Sequence, residues 1–410
     1  MKKLFFFATA ALVIAACAKT SLDNTANPDV PVTFQAANYS VATKAGGEVS
    51  VFNDFKNFKS LAYLHAVGVD LNSDGTQKAA SFQEFFGESG ETISPYDASN
   101  EIIADPTPAT TTVSYWAPRH SYYWPKDSHS YVNFVAWYGT TDGTNPIDPS
   151  VSYNYVSDKW KATMTWNYSN ATIGEVGANL LYADMAWRYN GNPDASYKLN
   201  GLAAGYKGVP MLFHHALAQI NVKAYVAAAT ATPANPAIGA GITDETATWT
   251  ILLQNVKITP VIKNGTLALT NEDPGTNKTQ AWTGSWATAT GAEAGDLVRT
   301  GDYTVTEIAK PAAGTTTGDL IAATCVIPQS LDASVVLSFD MDITTTYTGA
   351  VTHHEVIPFA VKLNDMGTTA WAMNTKYTYF LQINPSQKTV LFDPAVAADW
   401  ADGTTTEKIL

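Results

Sequence analysis

Apolar and polar residues alternate in short runs along most of the chain, the period-two signature of strands that bury one face. Val32, Phe34 and Ala36 alternate with Thr33 and Gln35. Tyr39 and Val41 continue in the opposite phase, which predicts a kink or bulge between them. Gly46-Gly47 interrupts the run, and Val49 and Val51 resume it. Val132 to Tyr138 is apolar at nearly every position, so it is expected to be a central strand covered on both faces. Val335, Leu337, Phe339, Met341 and Ile343 alternate with Val336, Ser338, Asp340, Asp342 and Thr344, as expected for a strand with one core face. Tyr377, Tyr379, Leu381 and Ile383 repeat that pattern, and Ile220 to Val226 and Ile251 to Ile262 add two more strands.

Asp74-Gly75, Asp142-Gly143, Asn190-Gly191, Asn264-Gly265 and Thr348-Gly349 separate these runs. Such pairs suit the positive-φ positions of tight hairpins. Helical periodicity is weak, with short candidates at Ala80 to Phe86 and Ala216 to Ile220. Many strands with frequent turns predict an all-β protein built from β-sandwiches. A loop-like stretch from Asn200 to Gly208 suggests a division near residue 206, giving an N-terminal sandwich over 31–206 and a C-terminal one over 207–410. Ala227 to Gly241 reads instead as a long hairpin loop.

Composition narrows the function classes. The 410 residues carry only 15% charged side chains and 46% hydrophobic ones, too apolar for a disordered chain. The net charge of −13 repels phosphate backbones and argues against nucleic acid as a partner.

The N-terminus changes the picture more. Met1-Lys2-Lys3 is a positive start and Leu4 to Ala16 a short apolar stretch, ending Ile14-Ala15-Ala16-Cys17. Small residues before a cysteine match a lipoprotein signal, with residues 1–16 removed and Cys17 acylated. Buried acyl CH₂ groups then give membrane affinity. Residues 17–30 are polar and read as a tether. The other cysteine, Cys325, sits in Ala-Ala-Thr-Cys-Val-Ile and reads as a buried strand thiol.

Candidate chemistry is sparse. Asp70 to Gly75 opens like a calcium loop, D-x-N-x-D-G, but the twelfth position, where a bidentate Glu belongs, is Ser81. A polar turn is the better reading. His214-His215 and His353-His354-Glu355 are the densest histidine groups, and two ligands on one strand face fall short of a zinc set. No G-x-S-x-G elbow, P-loop or H-E-x-x-H is present, and the chain reads as a non-enzyme without cofactor or metal. The aromatics Tyr115-Trp116, Tyr122-Tyr123-Trp124 and Trp137-Tyr138 offer two readings, a sugar-stacking platform or strand core, and core is favoured.

Four segments together resemble the fimbrillin family, the type V pilin subunits of Gram-negative cell surfaces. They are the lipobox at Cys17; Tyr122-Tyr123-Trp124-Pro125-Lys126 with the aromatic strand that follows to Tyr138-Gly139; Phe213-His214-His215-Ala216-Leu217-Ala218-Gln219-Ile220, similar to F-x-H-A-L-A-x-I; and Trp371, Asn374 and Lys376 to Tyr379 followed by Val390 to Asp393 and Val396 to Trp400. The resemblance spans nearly the whole chain. It implies two tandem transthyretin-like, Greek-key β-sandwich domains and a role in fimbriae and cell adhesion, with other fimbrial subunits as partners.

It also implies an assembly mechanism. A lipidated precursor reaches the outer membrane, a protease removes the N-terminal strand, and the C-terminal strand of another subunit refills the groove. Carried to this sequence, the removable strand is about 31–44, the cut falls between Lys44 and Ala45, and the donor candidate is Thr389 to Leu410. The family's usual cut follows arginine, whereas the arginines here are Arg119, Arg188 and Arg299, far downstream. Either a lysine-tolerant protease acts, or the strand stays and the chain is an anchor or accessory subunit. Residues 18–23 hold one acid, so surface display is implied by the family and not by an acidic export signal. The alternative is a surface glycan-binding lipoprotein that does not polymerise.

Overall fold

The computed structural model describes residues 30–38, 57–78, 81–97, 99, 101–102, 114–139, 141–142, 145–146, 148–169, 180–191, 208–226, 247–288, 294–298, 301–305, 319–347, 352–385 and 388–399. Cys17, Lys44 and Ala45 lie outside them. Among the described residues the regular structure is β-strand, with one short 3₁₀ turn at Leu363–Met366. The two helix candidates are corrected. Gln83–Glu84 is a short strand within the first, and the second leads through a bend into Ala218–Val226. There Ala218 and Ile220 face one core and Gln219 the opposite side, so strand alternation prevails over a weak helical spacing.

In the N-terminal part the sheet closes on itself. The ring runs Tyr131–Gly139, Leu180–Ala183, Val209–His215, Phe34–Asn38, Tyr115–Pro118, Glu91–Tyr96 and Phe58–His65, which pairs back onto Tyr131–Gly139. Closure removes free sheet edges and leaves an interior filled by side chains. Phe34, Phe58, Trp116, Phe134, Met211 and Phe213 are among those that fill it. Tyr131 to Trp137 is buried on both faces, as its nearly continuous apolar run requires, with Asn133 as the buried polar exception, donating to the Tyr153 hydroxyl at 2.6 Å. The second face is covered by a four-stranded sheet in the order Thr283–Ala287, Asn264–Glu272, Lys159–Ser169, Ser150–Val156. An aromatic core lies between, with Tyr63, Trp137, Tyr153, Trp160, Trp166 and Trp187.

The remaining strands form a sandwich. One sheet runs Asp319–Val326, Ala218–Val226, Thr375–Asn384, Thr389–Asp399; the other runs Ala294–Val298, Ala247–Ile262, Val336–Tyr347, Thr352–Lys362. Ile220, Val222, Tyr379 and Leu381 from the first meet Leu253, Leu337, Phe339 and Met341 from the second. Ala218–Val226 and Ala247–Ile262 belong to different sheets, so residues 227–246 do not close a hairpin.

A division at residue 206 does not match these sheets. Val209–His215 is built into the N-terminal ring, and Asn264–Glu272 and Thr283–Ala287 cover its outer face. Sequence position failed here because the chain leaves the sandwich after Ile262 and pairs Asn264–Glu272 with Lys159–Ser169. Asn264-Gly265 accordingly lies in a strand and not at a hairpin tip.

Candidate functional site

The segment that the resemblance marks as removable occupies one place in the ring. Phe34–Asn38 lies parallel to Val209–His215, in register from Phe34 opposite Val209 to Asn38 opposite Phe213. On its other side Phe34 pairs antiparallel with Trp116. Ahead of the strand, Val32 N–H donates to the Tyr122 carbonyl at 2.8 Å and Trp124 N–H to the Val30 carbonyl at 2.9 Å. Val209 N–H donates to the Thr33 carbonyl at 2.8 Å. Among the described residues, 30–38 are the segment that bridges Tyr115–Pro118 and Val209–His215, and without them the ring is open between those two strands.

Alternation sets what the segment buries. Val32, Phe34 and Ala36 point into the ring and are buried, while Thr33 and Gln35 are half-buried. Phe34 is fully enclosed, edge-on to the rings of Phe134 at 5.3 Å, Phe58 at 5.9 Å and Phe86 at 6.3 Å. Enclosing Val32 and Phe34 contributes roughly 1.5–3 kcal/mol each. The Gln35 amide donates to the Ser114 carbonyl at 3.0 Å. At the rim, Tyr122 O–H donates to Glu91 Oε2 at 3.2 Å, and His120 Nδ1 lies 3.1 Å from the same oxygen. Burial, then the Glu91 charge, pushes the Tyr122 hydroxyl up from its ordinary value.

Gly208 is a contributor that periodicity does not reveal. A Cβ there would lie 2.4 Å from the Thr33 carbonyl carbon and oxygen, so the N-terminal segment reaches its neighbour only where that neighbour lacks a side chain. The one sequence signal was glycine directly before an apolar alternation.

The donor candidate Thr389 to Leu410 is divided. Thr389–Asp399 is the edge strand of its own sheet, paired with Thr375–Asn384. Val390 is buried in the sandwich core, and Phe392 and Ala395 pack against it. Leu391 and Val396 are exposed. Residues 400–410 lie outside the described residues.

The other candidates fall elsewhere. Asp70 turns away from the loop: it is fully buried, with Oδ2 2.6 Å from His65 Nδ1 and Oδ1 accepting from Ala66 N–H at 2.8 Å. Asp74 accepts from Thr76 N–H at 2.9 Å, a turn-forming bond. His65 Nε2 meets the Tyr153 hydroxyl at 2.7 Å, a buried polar chain with no signature in the sequence. His214 Nε2 lies 2.8 Å from Asp184 Oδ1, and His354 Nε2 lies 2.7 Å from Asp342 Oδ1. Glu355 is paired with Lys388. Cys325 is buried in the Asp319–Val326 strand, as its apolar setting predicts.

Trp116, Trp124 and Trp137 are all buried. Trp124 stands against Gly191, and Trp137 Nε1 donates to Asp148 Oδ1 at 2.9 Å. These indoles offer no stacking platform, which removes the motive for the glycan-binding alternative.

No family model matches the chain, and no curated relative matches it. Among solved structures it is similar to a fimbrial protein from Bacteroides vulgatus, at 14% identity over 90% of this chain and 99% of that one, with a TM-score of 0.45. It is also similar to a candidate cell adhesion protein from Bacteroides uniformis, at 16% identity over 90% and 98% of the chains and a TM-score of 0.37. A third is the C-terminally truncated tip fimbrial protein of Porphyromonas gingivalis, at 11% identity over 91% and 100% and a TM-score of 0.25.

Proposed function

We propose that this chain is a structural or accessory subunit of a type V, fimbrillin-class pilus, with two tandem Greek-key units, exported as a lipoprotein through Cys17 and assembled at the cell surface by β-strand exchange. One observation carries the reading. Residues 30–38 fill a slot between Tyr115–Pro118 and Val209–His215, with Val32, Phe34 and Ala36 in a closed apolar interior and Thr33 and Gln35 half-buried on the other side. A slot left empty has unpaired backbone groups on both walls and apolar pockets between them, and an extended segment satisfies both together.

Cleavage between Lys44 and Ala45 would free the strand from its covalent tie. Retention would leave a lipidated subunit whose slot stays filled. The mature N-terminus on cells distinguishes the two, and Lys44→Gln should block release of residues 17–44. Surface material that always begins at Cys17 and never enters higher assemblies would remove the polymer reading. The outer membrane is then the partner of the lipid, and other fimbrial subunits are the partners of the slot.

A further inference from the structure

The slot is specific enough to describe its occupant. Its three inward positions differ in size. The first takes Val32, beside the Tyr122 carbonyl that its N–H reaches. The second takes Phe34, ringed by Phe58, Phe86 and Phe134 with Trp116 and Val209 opposite. The third takes Ala36, opposite Met211, where the alanine is only 3% exposed. Oversized groups in closed sites force their surroundings apart. Gly208 fixes where the incoming backbone sits, because Thr33 passes over its missing side chain.

Residues 389–410 do not meet that description. Val390-x-Phe392 begins correctly, but the third inward place falls on Pro394, which has no N–H to give a strand paired on both sides. Val390 and Phe392 are also committed to their own sandwich. Beyond 399, Trp400 is followed two residues on by Asp402, and the alternations Thr405-Glu407-Ile409 and Thr406-Lys408-Leu410 place a charge at the centre. A charge in the Phe34 pocket would be buried among phenylalanines without a partner.

Resting on the strand-exchange reading, we propose that the slot takes a strand with a β-branched aliphatic, an aromatic and an alanine-sized residue at alternate positions, and that residues 389–410 of a second copy are not that strand. The partner is a segment of different sequence, running parallel to Val209–His215.

The test uses the full-length chain with a site-specific protease sequence replacing residues 42–47, nicked after folding so that no other part is lost. Labelled peptides are offered in trans and their entry read by co-migration on size exclusion. They are residues 29–41, the same peptide with Phe34→Ala, the same with Ala36→Trp, and residues 389–410. The unaltered 29–41 peptide is expected to enter. The Phe34→Ala peptide should enter more weakly by about a hundredfold or more, given the usual cost of emptying an aromatic pocket. The Ala36→Trp and 389–410 peptides should be comparably poor. Entry of 389–410 as readily as 29–41 would overturn the inference and leave strand exchange standing. Equal entry of the Phe34→Ala peptide would overturn it as well. Entry of no peptide would remove strand exchange and the inference together.

Discussion

Gly208 lies against the backbone of Thr33, so close that a Cβ at 208 would stand 2.4 Å from the Thr33 carbonyl oxygen. The glycine is needed for approach and not for an unusual φ, and the hydrogen bond from Val209 N–H to that same carbonyl depends on it. Gly208→Val should therefore weaken docking of residues 30–38. The expected loss is about 1–3 kcal/mol in urea unfolding, the usual cost of overpacking. Proteolysis within residues 30–38 should accelerate in step. A variant with wild-type stability and protection would show that the strand docks without this contact.

Phe34→Ala empties the pocket formed by Phe58, Phe86 and Phe134. The expected destabilisation is about 3–5 kcal/mol. Leu391→Ser, on the exposed face of the Thr389–Asp399 strand, should change stability by less than about 0.5 kcal/mol. Similar effects from the two changes would contradict the placement of Phe34 in the ring interior.

Trp116 is buried, and its indole N–H has no hydrogen-bond partner among the described residues. Trp116→Phe removes an unsatisfied donor while keeping most of the ring, so its cost should stay near 1 kcal/mol. Trp116→Ala should cost about 3–5 kcal/mol. Chemical denaturation of both variants checks the difference. A Trp116→Ala protein of unchanged stability that had lost binding on a glycan array would restore the sugar-platform reading.

His65 gives a pH dependence with a definite sign. Burial holds its pKa below the ordinary 6.5, against the partly offsetting pull of Asp70. Below 6.5 the unfolded chain takes up a proton that the folded one resists. Stability from this residue is thus complete above 6.5 and declines as the pH falls toward the folded value. His65→Gln should flatten the decline in stability between pH 6.5 and 5, measured by urea titrations across that range. An unchanged slope would assign the acid sensitivity to other groups.

Much of the fold was legible because alternation reports directly on a strand that buries one face. Leu337, Phe339, Met341 and Ile343 are buried together, as are Tyr377, Tyr379, Leu381 and Ile383. The nearly continuous apolar run at Val132 to Trp137 is covered on both sides. At the site, the alternation of Val32, Phe34 and Ala36 marked which face is buried. The pocket was not legible. Phe58, Phe86 and Phe134 approach Phe34 from distant parts of the chain, and no local pattern encodes that convergence.

The sequence by itself determined that this is a strand-built chain, that Cys325 is a buried thiol, and which side chains face inward on the strands it marked by alternation. Those properties follow from composition and a period of two, which are local. Only the tertiary structure decided that the N-terminal sheet closes into a ring, that Asn264–Glu272 and Thr283–Ala287 cover it, and that residues 30–38 bridge Tyr115–Pro118 and Val209–His215. Pairing partners are chosen by long-range burial of faces against one another. Two strands with the same one-faced alternation, Leu337 to Ile343 and Tyr377 to Ile383, read alike in sequence and lie in opposite sheets of the sandwich.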